Sequence, residues 1–154
     1  MKTLILSSAL VLASLAGFSQ SSKPKTYYVD GVKVTEQQAN KIKPDNLVSV
    51  QIGVDGVYFT TRNSACNLYW TYFKSKSEAY AAVVPALKDI YKVQYIINGT
   101  ILTSAFDNTL ANVNDANLVS IDVIEQDELT KQYGISDKPY GVIIKTKKVT
   151  VKGR

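Results

Sequence analysis

Three short segments of this 154-residue chain occur twice, in the same order. "YYVDGVKV" has its counterpart in "YIINGTIL", with Gly31 matching Gly99. "NLVSVQI" returns as "NLVSIDV", Leu47 matching Leu118, and "GVYFTTR" returns as "GVIIKTK", Gly56 matching Gly141. The spacing between partners widens along the chain, as expected of one unit duplicated and then lengthened by insertions. Any fold must therefore build the same supersecondary unit twice. The Asp-Gly and Asn-Gly pairs in the first match are strong signals for tight hairpins. The later segments are β-branched and bounded by turn residues, so each copy reads as a set of short strands.

Helices fit between these strands. "TEQQANKI" follows the first hairpin, with Thr35 as cap and Gln38 at the third position of a capping box. "KPDN" ends it, because proline disfavours helical geometry in the residue before it. "SAFDNTLANV" takes the same place in the second copy. That copy also gains "DELTKQYG", with Gly134 as the residue closing the helix, where the first has a two-residue hairpin. Between the copies, "NLYWTYF" is aromatic and weakly alternating, which predicts a strand. "KSEAYAAVVPALKDIYK" predicts a helix begun at Ser75 or Ser77, with Ala79, Val83, Ala86, Leu87 and Ile90 on one face and Pro85 kinking or dividing it. The expected class is α+β: two β-β-α-β-(α)-β repeats forming small mixed sheets with short helices packed on them. The first repeat covers 26–92, including the aromatic and helical insertion, and the second covers 93–154.

Lys2 followed by "LILSSALVLASLAGF" reads as an export signal over 1–19. Gly17 and Ser19 supply the small residues of a cleavage site, so the mature chain starts at Gln20 with a short leader over 20–25. The apolar run is short for a spanning helix, which needs about 20 residues, and no later segment is apolar for long enough. The expected location is the periplasm or the exterior, without a transmembrane segment in the mature chain.

Composition narrows the chemistry. The chain has no histidine, which removes the usual zinc sites, Cys-His nucleophiles and Ser-His-Asp triads. Cys66 is the one cysteine, so no internal disulfide forms, and its surroundings in "NSACNLYW" favour burial over a reactive thiol or an intermolecular bond. Asp122, Glu125, Asp127 and Glu128 cluster, but Asp127 and Glu128 fall where a helix starts and acids favour its dipole. "NVNDAN" lacks the ligand spacing of a calcium loop, and Asn98-Gly99-Thr100 is explained by a turn. No catalytic residue, metal or cofactor is expected. The net charge of +5 is local: six basic residues and no acid lie between Lys138 and Arg154. A nucleic-acid partner would call for a wider basic stripe with stacking aromatics and is not expected. Candidate partner contacts are the aromatic stretch Tyr69, Trp70, Tyr72 and Phe73, because aromatics are enriched in binding hot spots, together with Lys145, Lys147 and Lys148.

The second copy carries a recognisable order of motifs: Asn98-Gly99, then Asn117-Leu118-Val119-Ser120-Ile121-Asp122-Val123, Tyr133-Gly134, Gly141-Val142-Ile143-Ile144 and Thr146-Lys147. This order resembles the plug domain of TonB-dependent outer-membrane receptors, and more closely the short plug-like segments of envelope proteins in some Gram-negative groups. The first copy matches in part, through Asp30-Gly31, Leu47 to Val50 and Gly56-Val57. With no barrel sequence beside it, the resemblance implies the fold, the compartment and docking to another envelope protein, rather than transport. The alternative expectation is a small ligand-binding or enzyme-modulating module with a cleft near Tyr69–Phe73.

Overall fold

The computed structural model describes residues 26–147 except residue 105. The expected export signal and leader, and Lys148, lie outside the described residues. The chain divides into two units, one ending at Thr61 and the other starting at Arg62.

In the first unit, β1 (Tyr27–Val29) and β2 (Val32–Val34) form a hairpin, followed by α1 (Glu36–Ala39), a 3-10 turn (Pro44–Asn46), β3 (Leu47–Ile52) and β4 (Val57–Thr61). The strands form one mixed sheet in the order β2-β1-β4-β3, with β1 and β4 parallel. The hairpin turns at Asp30 and Gly31, with φ of 50° and 80°, the left-handed region that Gly and Asx tolerate. Thr35 caps α1 in a full capping box with Gln38, as its spacing predicts. Ala39 from α1 buries against Val57 and Phe59, with Tyr27, Val29, Val34, Ile42, Leu47 and Val50 packed around them.

The second unit opens with α2 (Arg62–Lys76) and α3 (Glu78–Val83), followed by a 3-10 turn (Leu87–Asp89). Then β5 (Gln94–Ile97), β6 (Thr100–Ile101), α4 (Asp107–Ala111), β7 (Leu118–Glu125), α5 (Gln126–Tyr133) and β8 (Tyr140–Thr146) follow. Its sheet runs β6-β5-β8-β7, the order of the first with each strand replaced by its counterpart. Register is kept too. Tyr27 pairs with Val57 as Tyr95 pairs with Val142. The antiparallel ladder skips Val48 in β3 and Val119 in β7, an identical bulge. Asn98 and Gly99 turn with φ of 49° and 82°. The duplicated α+β fold expected from the repeated segments is the fold observed.

Two sequence readings are corrected. "NLYWTYF" lies within helix α2, not in a strand. Buried Ala65, Cys66, Tyr69 and Phe73 recur at helical spacing, and Cys66, Tyr69 and Phe73 share one core with Val142, Ile144 and Tyr95, so tertiary burial overrides the β-preference of the aromatics. The aromatic and helical insertion, placed by sequence in a first repeat ending at 92, belongs to the second unit. Other expectations hold. Ser77 caps α3, which stops at Val83 just before Pro85, and Gly134 closes α5 in the left-handed region with φ 71°. Each large side chain fully buried in this core contributes about 1.5–3 kcal/mol.

The two sheets differ in what their own unit lays over them. One face of the second sheet packs under α2, α3 and α4 through Tyr69, Phe73, Tyr80, Val84 and Leu110. The other lies under α5, whose Leu129 is buried beside Gly141 and Ile124. In the first unit, α1 packs on one face, and the tight turn Gly53–Gly56, closed by Gly53 N–H donating to Gly56 O at 2.9 Å, stands where α5 would be. Among its described residues, that unit supplies no helix to its second face.

Candidate functional site

The sequence candidates separate once placed. Tyr69 and Phe73 are 0% exposed, interior residues that reach no partner. Trp70 is half-buried, its Nε1 donating to Val84 O at 3.1 Å and its ring lying 4.5 Å beneath Lys74 Nζ. Tyr72 is half-buried and donates to Asp115 Oδ1 at 2.9 Å, which Lys76 also grips at 2.7 Å. Loss of solvent and the bond to Asp115 push the Tyr72 hydroxyl up to about 12, while Lys76 and Tyr72 hold the Asp115 carboxyl below its usual range. Of the four aromatics, Tyr72 alone lines a surface hollow of about 440 Å³, shared with Asn67, Leu68, Thr71 and Ser75. Lys145 and Lys147 are exposed at the end of β8, on a different element of the same unit, and Lys147 N–H donates to Asn117 O at 2.8 Å.

A buried polar cluster lies where α2 and α4 begin. Asp107 Oδ2 receives Arg62 Nη1 at 2.9 Å, with side chains 3% and 41% exposed respectively. Asp107 Oδ1 receives Cys66 Sγ at 3.2 Å and Tyr69 OH at 3.4 Å. The thiol has one proton, given to Asp107, so at the 3.4 Å contact the Tyr91 hydroxyl donates to sulfur. Burial pushes the Cys66 thiol up, and burial pushes Tyr91 up to about 12. A buried thiol with a raised pKa holds little thiolate at neutral pH, and thiolate is the nucleophile. The cluster therefore acts as a clamp between helix starts. Among the described residues no buried side-chain nitrogen or oxygen lacks a partner, and no group of three or more His, Cys, Asp or Glu could hold a metal ion.

The face of the first sheet opposite α1 is the more distinctive surface. Strand pairing places Lys33, Tyr28, Tyr58 and Gln51 in one row across it. Tyr28 and Tyr58 stack with ring centroids 4.8 Å apart and planes 6° from parallel. Tyr58 OH donates to Asp55 Oδ2 at 2.6 Å, and that bond pushes its hydroxyl up to about 12. Gly56 leaves room for the pair, since a Cβ there would sit on the Thr26 carbonyl and 3.1 Å from the Tyr28 ring. The corresponding row in the second unit is Ile101, Ile96, Ile143 and Asp122. The second unit thus carries three isoleucines and Asp122 on this face, beside α5, and the first an aromatic and polar row with no helix beside it among the described residues. Sequence reasoning missed Lys33, Tyr28, Tyr58 and Gln51 as site residues. The signal was present in the repeat itself, where Tyr28 and Tyr58 align with isoleucines.

No protein-family model, curated protein or solved structure matches this chain. Among the described residues no helix is long and apolar enough to cross a membrane.

Proposed function

We propose that this chain is an exported, non-catalytic envelope protein that docks to a protein partner through its plug-like duplicated fold. The second unit is the scaffold and the first is the recognition module. The observation that carries this reading is the divergence between equivalent faces: Ile101, Ile96 and Ile143 in one copy, Lys33, Tyr28 and Tyr58 in the other. Tyrosines joined to charged and amide side chains combine apolar area with hydrogen bonding, the chemistry enriched at protein interfaces. The first unit's core is also thin, with Ala39, Val57 and Phe59 as its buried hydrophobic cluster, so a covering partner adds stability there. Export rests on the sequence of residues 1–19, and the envelope on the resemblance of the second copy to plug segments.

The test is an affinity pull-down from envelope extract of the source organism, using the mature chain and a Tyr28→Ser/Tyr58→Ser variant. The reading expects one stoichiometric protein with the wild type and its loss with the variant. Recovery of no stoichiometric protein, or equal recovery with both baits, would refute it.

A further inference from the structure

Asn98 and Gly99 carry a chemistry of their own. Glycine leaves its main-chain amide unshielded, so in an Asn-Gly pair that nitrogen can attack the asparagine side chain. Here the side chain is held elsewhere. Asn98 Oδ1 accepts the Thr146 N–H at 2.9 Å, and Asn98 Nδ2 donates to Thr146 Oγ1 at 2.8 Å. Both amide atoms are thereby committed to β8, and Asn98 N–H itself donates to Ile144 O at 2.9 Å. The equivalent position in the first unit is an aspartate. Asp30 accepts the Thr61 N–H at 2.8 Å and the Thr61 hydroxyl at 2.7 Å, and its own N–H donates to Phe59 O at 2.9 Å. The threonine hydroxyl has turned from acceptor to donor, and the rest of the arrangement is unchanged.

We propose that Asn98 is a latent deamidation site, held closed by Thr146, whose aspartate product the fold already accommodates. In the reaction the Gly99 nitrogen bonds to Asn98 Cγ while the Cγ–Nδ2 bond breaks. The side-chain nitrogen leaves as ammonia with the Gly99 proton, giving a cyclic imide. Water then opens the ring. Cleavage between Cγ and nitrogen yields aspartate, and cleavage at the main-chain carbonyl yields isoaspartate. Aspartate at 98 can take the Asp30 pattern, with Thr146 Oγ1 now donating. Isoaspartate adds a carbon to the main chain inside a tight turn and disrupts the β5–β6 hairpin.

The experiment incubates the chain at neutral pH and follows residue 98 by peptide mass spectrometry. It compares folded wild type, urea-unfolded wild type and folded Thr146→Val, which keeps the main-chain donor and loses the hydroxyl. Holding two hydrogen bonds closed should slow the folded wild type by at least roughly tenfold relative to the unfolded chain. Thr146→Val, confirmed as folded by circular dichroism, should deamidate several-fold faster than folded wild type. An Asn98→Asp variant should melt within a degree or two of wild type, which checks the product independently of Thr146. Equal rates in folded and unfolded wild type, no acceleration in folded Thr146→Val, or a strongly destabilised Asn98→Asp would each overturn the proposal. If Thr146→Val does not fold, the wild-type rates and the Asn98→Asp melt decide it.

Discussion

Asp30 binds Thr61 through both carboxylate oxygens, one to the main-chain N–H at 2.8 Å and one to the hydroxyl at 2.7 Å, across 31 residues of sequence. The contact ties the β1–β2 turn to the end of β4, and Asn98 repeats it on Thr146. Two copies keeping this staple while exchanging Asp for Asn identify it as part of what defines the unit. Asp30→Asn should therefore be close to neutral. Asp30→Ala loses both bonds and puts an ordinary residue at positive φ, and should cost about 2 kcal/mol. Urea denaturation midpoints of the two variants check this.

Gly56 and Gly141 occupy equivalent places but meet different neighbours. A Cβ on Gly141 would approach Leu129 Cδ1 at 2.8 Å and Ile124 Cγ1 at 3.0 Å, side-chain ends that can move. A Cβ on Gly56 would sit on the Thr26 carbonyl oxygen, which accepts Val57 N–H at 2.8 Å. Gly141→Ala should cost about 1–3 kcal/mol, the usual range for overpacking, and Gly56→Ala should cost the first unit more. Thermal melts of both variants, with hydrogen exchange at Val57, would show the difference.

Stability should fall at alkaline pH. Tyr80 and Tyr95 share a buried hydroxyl contact at 3.0 Å. Burial holds Tyr80 up at about 12, against 10.0 for a free tyrosine, and raises Tyr69 and Tyr95 further. Through that window the unfolded chain ionises while the folded chain keeps its protons. Stability is complete below about pH 10 and declines as pH rises through 12. Tyrosinate absorbance should show these groups titrating together with unfolding. Tyr80→Phe alone strands the Tyr95 hydroxyl at a cost of about 1–3 kcal/mol, whereas Tyr80→Phe/Tyr95→Phe should cost less than the two single changes summed.

Cys66 should resist alkylation in the folded chain and react on unfolding in urea, because burial holds its thiol protonated. Cys66→Ala removes one donor from Asp107 and should cost about 1 kcal/mol. Rapid native labelling of Cys66 at neutral pH would contradict the clamp reading.

Much of the fold was legible because its signals are local. Asp30-Gly31, Asn98-Gly99, the Thr35–Gln38 box, Ser77 and Gly134 each fix a turn or helix end through short-range hydrogen bonds or positive φ, and the repeated segments showed that one strand-and-helix unit occurs twice, without its strand order. Helix α2 was not legible. Leu68, Trp70 and Tyr72 put large apolar groups off its buried stripe, Leu68 at 59% exposure, and so blurred the helical period of Ala65, Cys66, Tyr69 and Phe73. Its membership of the second unit was also hidden, because its packing on Tyr95, Val142 and Ile144 is long-range. The aromatic contact candidates shared that fate. Tyr69 and Phe73 look alike in sequence to an exposed hot spot, and burial alone separates the two.

A partner is proposed to dock on the face of the first sheet opposite α1. Photo-crosslinking in the native envelope tests it most directly, with a photoreactive side chain at Gln51 on that face and, as control, at Leu68 on the outer side of α2. One discrete adduct from position 51, lost with Tyr28→Ser/Tyr58→Ser and absent from position 68, is the predicted result. No adduct from position 51, or the same adduct from position 68 in equal yield, would contradict it.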